Sequence, residues 1–361
     1  MLLFDKTYKT PFKYDVPNYT KDYLLKKSIF QRFIKFFKRY LYIKLRGQKN
    51  LEIFSILEKH QKILWINLSA PSLGDSLMDL SSRSMLTDKN IDLFTDEKNQ
   101  HIYQDDEVFN NVFTKIKDAK TIQYDLIILD AFSSRSIRVK SLIAPKSPYV
   151  GMFGYFNGPE VNRILFSFHQ MNKLLGYSLT ENQINNIAKN LITITQSDKT
   201  MCKNILPDEY ITIVLGGEWQ YKTYEKWDEV IDKLIIDNTE LNVVFVGSEN
   251  AISESNRILK MFPNNNFYNL TCLLTFNQTV QVIKSSKIVL CCDGGLLHGS
   301  SAVNANIIAL FARLTPEMLL TRNTLSFNLY DESNVNNITP EDVLLKYFEA
   351  SNFFDSHPQG E

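Results

Sequence analysis

Little in this sequence could build a disulfide framework or a metal cage. Four cysteines, Cys202, Cys272, Cys291 and Cys292, are spread over 361 residues. None forms a C-x-x-C pair, and two are adjacent inside an apolar run. That usage points to buried free thiols in a reducing compartment. No apolar run approaches the ~20 residues that a membrane-spanning helix needs. No N-terminal stretch joins a basic region to an apolar one and a cleavage site, so a cytoplasmic place is expected. No G-x-G-x-x-G follows any apolar run, which argues against a Rossmann dehydrogenase. Charge of one sign is also lacking: 40 basic side chains balance 40 acidic ones, giving no ground for a nucleic-acid partner.

What is present reads as globular. The chain is 44% hydrophobic and 22% charged, and its length suits two domains, each with its own core. Residues 26–49 stand apart, with nine basic side chains and no acidic one. Phe30, Phe33, Ile34, Phe36, Phe37, Tyr40, Leu41 and Ile43 interleave with them. The pattern predicts a basic, aromatic-rich helix. It suits docking on anionic lipid headgroups and equally suits packing on the first domain with solvated lysines.

From residue 51 a βα rhythm begins. Strands are predicted at 62–68, 91–94, 124–132 and near 148–153, with a helix over 75–86; residues 158–203 read as mostly helical. The rhythm restarts with strands at 210–215, 241–246, 287–292 and 306–311. Between them helices are predicted around 223–237, 250–261, 277–285 and 295–303, and a last helix spans 340–354. Short apolar strands alternating with helices imply parallel sheets covered on both faces. In such sheets ligands bind at the carboxyl ends of strands, where Asp75, Gly216, Gly247 and Asp293 fall.

Four segments could carry chemistry. Ser72-Leu73-Gly74-Asp75 closes the first apolar run, so Asp75 is either a helix cap or a base aimed into a cleft. Gly216 and Gly217 end the strand at 210–215 and leave room for a ligand, with Lys222 following as a cation suited to a diphosphate. Alone, Lys222 also reads as a solvated surface lysine. Glu249 lies beyond a strand and Gly247, where a carboxylate can hold ribose hydroxyls or cap a helix. Asp293-Gly294-Gly295, with His298 on the following turn, suits a phosphate at a helix N-terminus. It also suits a tight βα turn with a satisfied histidine.

Taken in order, these segments resemble glycosyltransferase family 9, the lipopolysaccharide heptosyltransferases, over roughly residues 60–320. The S-x-G-D turn is Ser72 to Asp75. The K-x-W-type element is Lys222, Tyr224 and Trp227. Val243 to Gly247 with Glu249 follows, and Cys292-Asp293-Gly294-Gly295-Leu296-Leu297-His298 stands for the family's N-D-T-G-x-x-H. Thr315-Pro316 completes the set. This sequence departs at Cys292 and Gly294, where the family has Asn and Thr, and at Leu215-Gly216-Gly217, where it has His-Pro-Gly.

The resemblance implies a GT-B fold, α/β, with two Rossmann-like domains facing an inter-domain cleft. Here it carries a basic helical N-terminal extension. The expected division is 1–55 extension, 56–180 acceptor domain, 181–207 helical linker, 208–335 nucleotide-sugar domain, and 336–361 a helix returning to the first domain. It implies inverting transfer without a metal cofactor, and no D-x-D is found; Asp105-Asp106-Glu107 reads as a polar loop. The implied donor is ADP-heptose and the implied acceptor a lipid-linked oligosaccharide, at the inner membrane of a Gram-negative bacterium. Asp75 is the expected base, with Lys222 and the Gly294-Gly295 amides on the diphosphate. Asp293 is assigned to donor-sugar hydroxyls and Glu249 to the ribose, with His298 near the diphosphate. A GT-B enzyme with another nucleotide sugar and a capsule or protein acceptor is the alternative, as is a non-catalytic nucleotide-sugar scaffold.

Overall fold

Residues 9–13, 29–70, 72–158 and 160–357 are described by a computed structural model of the chain. Two compact units meet in sequence between Lys189 and Asn190. Among the described residues the elements of the first are α1 (Ile29–Leu45), β1 (Lys62–Asn67), α2 (Leu73–Asp79), β2 (Asn90–Thr95), α3 (Glu97–Tyr103), β3 (Phe109–Phe113), α4 (Ile116–Ala119), β4 (Leu126–Ala131), α5 (Ser134–Ile143), β5 (Tyr149–Gly154), α6 (Arg163–Leu174) and α7 (Glu181–Ile187). All strand pairs are parallel, in the order β3-β2-β1-β4-β5. Residues of the central strands, such as Ile63 to Ile66 and Leu126 to Leu129, are fully buried. A strand covered on both faces reads as an unbroken apolar run, and these do.

The second unit contains α8 (Gln196–Ile205), β6 (Ile211–Val214), α9 (Trp227–Asp237), β7 (Val243–Val246), α10 (Ile252–Met261), β8 (Phe267–Asn269), α11 (Phe276–Ser285), β9 (Ile288–Cys292), α12 (Gly295–Ala302), β10 (Ile307–Ala312), α13 (Pro316–Leu319), β11 (Ser326–Asp331) and α14 (Pro340–Ser356). Its parallel sheet runs β11-β10-β9-β6-β7-β8. Read from β8 to β11, this is the doubly wound 3-2-1-4-5-6 order, and the first sheet shows 3-2-1-4-5. The order reverses between β1 and β4 in one unit and between β6 and β9 in the other. There the crossovers leave in opposite directions, and the strand ends are left open.

Three expectations change. The helix predicted over 75–86 breaks after Asp79, and Ser81–Leu86 continues as a 3-10 turn. Asp106 is not in a solvated loop: it is buried and takes Nε and Nη2 of the buried Arg83. Of the four free cysteines, Cys272 is exposed. Helix α14 starts at Pro340 with a capping box between Thr339 and Asp342, and it packs on α9 and β11 of its own unit. Tyr224 and Trp227 are buried core residues in edge-to-face contact at 4.9 Å.

Helix α1 is built into the first unit. Ile43 is fully buried in the core, and Phe36 packs on Tyr155 with ring centres 4.9 Å apart. Lys26 and Lys27 lie outside the described residues. The opposite face of α1 points outward and is also apolar. Phe30, Phe33, Phe37, Leu41 and Leu45 recur every three or four residues, with Phe30 69% and Leu45 77% exposed. No helix among the described residues is long and apolar enough to cross a membrane.

The end of α1 is tied down by a buried cation. Lys140 of α5 is fully buried and donates to Gln48, whose amide donates in turn to the carbonyls of Arg46 and Pro145. Burial lowers the Lys140 ammonium to about 8, from 10.5. A lowered lysine withholds stability below its folded value and restores it as pH rises toward its unfolded value. Lys140→Met is therefore expected to gain most over the wild type near pH 7. The gain should shrink between pH 8 and 10.5, read from urea midpoints at a series of pH values.

Candidate functional site

In the first unit the open strand ends at β1 and β4 are organised by a carboxylate that the sequence reading missed. Asp130, at the end of β4, is 1% exposed. It accepts from the backbone N–H of Leu68 at 2.8 Å and of Ser69 at 2.5 Å, from its neighbour Ala131 at 2.6 Å, and from Ser136 Oγ at 3.1 Å. Burial pushes this carboxyl upward, and the backbone donors oppose it. Asp130 thereby fixes the direction in which the chain leaves β1 toward α2.

Asp75 sits in the first turn of α2. It is the return partner in a capping box: Ser72 Oγ accepts from the Asp75 N–H at 3.2 Å. The Asp75 Oδ2 atom accepts from the Ser72 N–H at 3.2 Å and its hydroxyl at 2.6 Å. The cap is thus real, and it uses one oxygen. The other, Oδ1, lies 3.6 Å from Nε of Arg163, and the Asp75 side chain is 21% exposed. The cap and the ion pair with Arg163 therefore fall on different atoms of one carboxylate. Asp79, one turn on, is 2% exposed and is held by Arg163.

In the second unit Lys222 and Asp293 meet. Lys222 ends a 3-10 turn after β6, Asp293 follows β9, and the ammonium donates to Asp293 Oδ2 in a largely buried ion pair. Both groups stand at the point where the strand order reverses. Helix α12 starts two residues later without a side-chain cap, whereas α11 and α14 are closed by capping boxes. Its first N–H groups are thus not taken by a capping side chain, which suits an anion. His298 is buried on α12, and its carbonyl accepts from Asn190 at 3.5 Å. Glu249 is exposed, in the 3-10 turn after β7. Cys292, at the end of β9, is buried, and burial raises its thiol to about 12.

The glycines divide by purpose. Gly216 has φ +76°, and a Cβ there would lie 2.6 Å from Asn250 Oδ1. A Cβ on Gly217 would lie 2.5 Å from Thr223 Oγ1. Asn250 donates to the Gly217 carbonyl at 2.6 Å. The space expected for a ligand at their Cα atoms is thus filled by the neighbouring loops. Gly294 is different: its backbone is extended, and nothing comes nearer to a Cβ than the Cys292 carbonyl at 4.0 Å.

Arg313 was also missed. It follows β10 with φ +67°, a left-handed conformation uncommon for arginine. Its guanidinium lies 3.7 Å from the centre of the Tyr221 ring, and Nε donates to the Ser333 carbonyl at 3.3 Å. The Lys222 ammonium is 5.7 Å from the same ring. Two cations thus flank one aromatic side chain at this sheet end. Among the described residues no group of three His, Cys, Asp or Glu side chains could hold a metal ion.

Residues 156–342 match glycosyltransferase family 9 (heptosyltransferase), just over half of the chain. The chain belongs to glycosyltransferase family 9. It is therefore a glycosyltransferase, and its two parallel-sheet Rossmann-like domains are the pair found in the GT-B fold. Among solved structures it is similar to the family 9 glycosyl transferase from Veillonella parvula DSM 2008. There the TM-score is 0.67 at 13% identity, covering 83% of this chain and 99% of that one. Against E. coli ADP-heptose lps heptosyltransferase II the TM-score is 0.65 at 19% identity, covering 82% and 100%. Against E. coli heptosyltransferase WaaC with ADP it is 0.59 at 16% identity, covering 80% and 99%. At such identities the likeness is one of fold. No curated protein matches this chain.

The glycine geometry gives a contrast that thermal unfolding can read. Gly216→Ala forces a side chain into left-handed backbone and into Asn250, and should destabilise by about 1–3 kcal/mol. Gly294→Ala meets open space and should leave the unfolding temperature within about 1 °C.

Proposed function

We propose that this family 9 enzyme transfers heptose from ADP-heptose to the inner core of a lipopolysaccharide or lipooligosaccharide. The transfer inverts the anomeric centre and uses no metal cofactor. The observation that carries the reading is the Lys222–Asp293 pair beside the uncapped start of α12, at the reversal of the second sheet. A cation and N–H groups together suit a leaving diphosphate. Asp75 accepts the proton of the acceptor hydroxyl as that oxygen attacks the anomeric carbon. The bond from that carbon to the diphosphate breaks, and ADP leaves with its charge taken by Lys222 and the amides at Gly294 and Gly295. Asp293 orients donor-sugar hydroxyls and Glu249 the ribose. His298, buried on α12, acts by fixing the helix start.

A second reading is a different nucleotide sugar on a capsule or protein acceptor. Gly294 favours it: the family's threonine would fit on this backbone, yet its hydroxyl is missing. The test is a mass-spectrometric transfer assay with ADP-heptose, UDP- and ADP-hexoses and truncated lipooligosaccharide cores. One added heptose supports the first reading, and one added hexose the second. Asp75→Asn should lower turnover by about 10²–10⁴-fold with the fold intact. Lys222→Ala should weaken donor binding and lower turnover by about 10²-fold together. Wild-type kinetics in either variant removes that residue from the chemistry.

We also propose that the enzyme meets a lipid-linked acceptor at the anionic face of the inner membrane, through α1. Its outward stripe of Phe30, Phe33, Phe37, Leu41 and Leu45 lies among lysines, and residues 26–49 include no acid. Apolar insertion and headgroup attraction then act together, at about 1 kcal/mol per basic side chain near the surface. Deleting the whole extension would remove the buried Ile43, so point changes are the cleaner test. Phe37→Glu with Leu41→Glu should abolish salt-sensitive binding to anionic vesicles without lowering the unfolding temperature. Unchanged vesicle binding would leave α1 as packing alone.

A further inference from the structure

Arg163 opens α6, directly after its cap Asn162, whose side chain accepts from the Leu165 N–H at 3.0 Å. Its guanidinium grips Asp79 with two hydrogen bonds, Nε to Oδ1 at 2.8 Å and Nη2 to Oδ2 at 2.6 Å. The guanidinium carbon lies over Phe153, 5.1 Å from the ring centre. One turn below, Ser167 Oγ donates to the Asp79 carbonyl at 2.8 Å, so α6 holds α2 at two levels. Asp79 is nearly fully buried, and Arg163 cannot swing away without leaving that carboxylate unpaired. The same Nε stands 3.6 Å from Oδ1 of Asp75, within ion-pair range and beyond a hydrogen bond. Ser72 holds the other Asp75 oxygen. Each oxygen of Asp75 therefore faces a different fixed neighbour.

We propose that Arg163 is the positioning residue for Asp75: clamped by Asp79 and Phe153, it fixes the orientation of the Asp75 carboxylate that receives the acceptor proton. This rests on the reading of Asp75 as the base. Burial acts to lower the Arg163 guanidinium, but Asp79 and Asp75 outweigh it and hold it above its usual value. Burial raises the Asp79 carboxyl to about 7 against the pull of Arg163, with Asp75 and Asp130 adding to the rise. The charge of Asp79 also acts on Tyr103 of α3, and that of Glu160 acts on Arg163. Arg163 supplies the cation of this group, and a planar fork is the shape that can hold one carboxylate while facing a second.

The test is steady-state transfer with the donor and acceptor found active for the wild type. Arg163→Met should lower kcat by about 10- to 100-fold, with both KM values unchanged, as expected for a misplaced reacting group. Arg163→Lys should recover part of that loss. In an Asp75→Asn background, Arg163→Met should lower the residual rate by less than about twofold, because the two act as one unit. Arg163→Met leaves Asp79 buried alone, so Arg163→Met with Asp79→Leu removes the pair together and keeps the fold; it should show the same kcat loss. Three results would overturn the positioning role alone. They are an unchanged kcat in the paired variant, an equal fold-loss with and without Asp75, or a raised acceptor KM at constant kcat. Wild-type turnover in Asp75→Asn would instead remove the base assignment, and this proposal with it.

Discussion

Everything in this protein hangs on where two parallel sheets reverse their strand order. A right-handed crossover places each helix on one face of its sheet, and the face changes only at the reversal. At that point two loops part and leave backbone donors and side chains uncovered. In the first unit Asp130 holds the chain as it leaves β1, and Asp75 lies in the first turn of the α2 that follows. In the second the parting loops bring together Lys222, Asp293 and the start of α12. Neither group is local in sequence: Asp130 lies 61 positions after Ser69, and Asp293 lies 71 positions after Lys222.

The second theme is how buried charge is kept. Arg83 with Asp106, Arg163 with Asp79 and Lys222 with Asp293 are pairs in which at least one member has almost no exposure. Asp130 is held by N–H groups and a hydroxyl instead. Such arrangements add little net stability, because desolvation offsets most of the attraction. Their effect is orientation. Each fixes a loop or a helix start at an angle that apolar packing alone would leave loose.

The interior strands were legible because they are covered on both faces: ILWI, LIIL and IVLCC within them are unbroken apolar runs. Three of the four edge strands, β3, β8 and β11, were not. FNNVF, FYN and SFNLYD are short or polar, being half-exposed at the sheet borders. The turn at Asp75 and the turn at Asp293 could be found because a strand, a small-residue loop and a helix are adjacent in sequence. Asp79 carried a faint signal, one turn beyond Asp75 on the same helix face. Arg163 carried none, since its partner lies 84 residues away. Asp106 was misread because a run of three acids looks solvated, and nothing local announces Arg83 as its partner. The twofold apolar character of α1 was visible in its spread of aromatics, but not which face would be buried.

The Lys222–Asp293 pair has a consequence for how an anion would be taken up. The position beside the ammonium is already filled, and by an acid of the same chain. On the proposed function, a phosphate meets a cation that already holds a carboxylate with one of its three donors, not a bare one. Without a ligand the ammonium keeps Asp293 as its partner, so the lysine does not stand uncompensated in a nearly dry place.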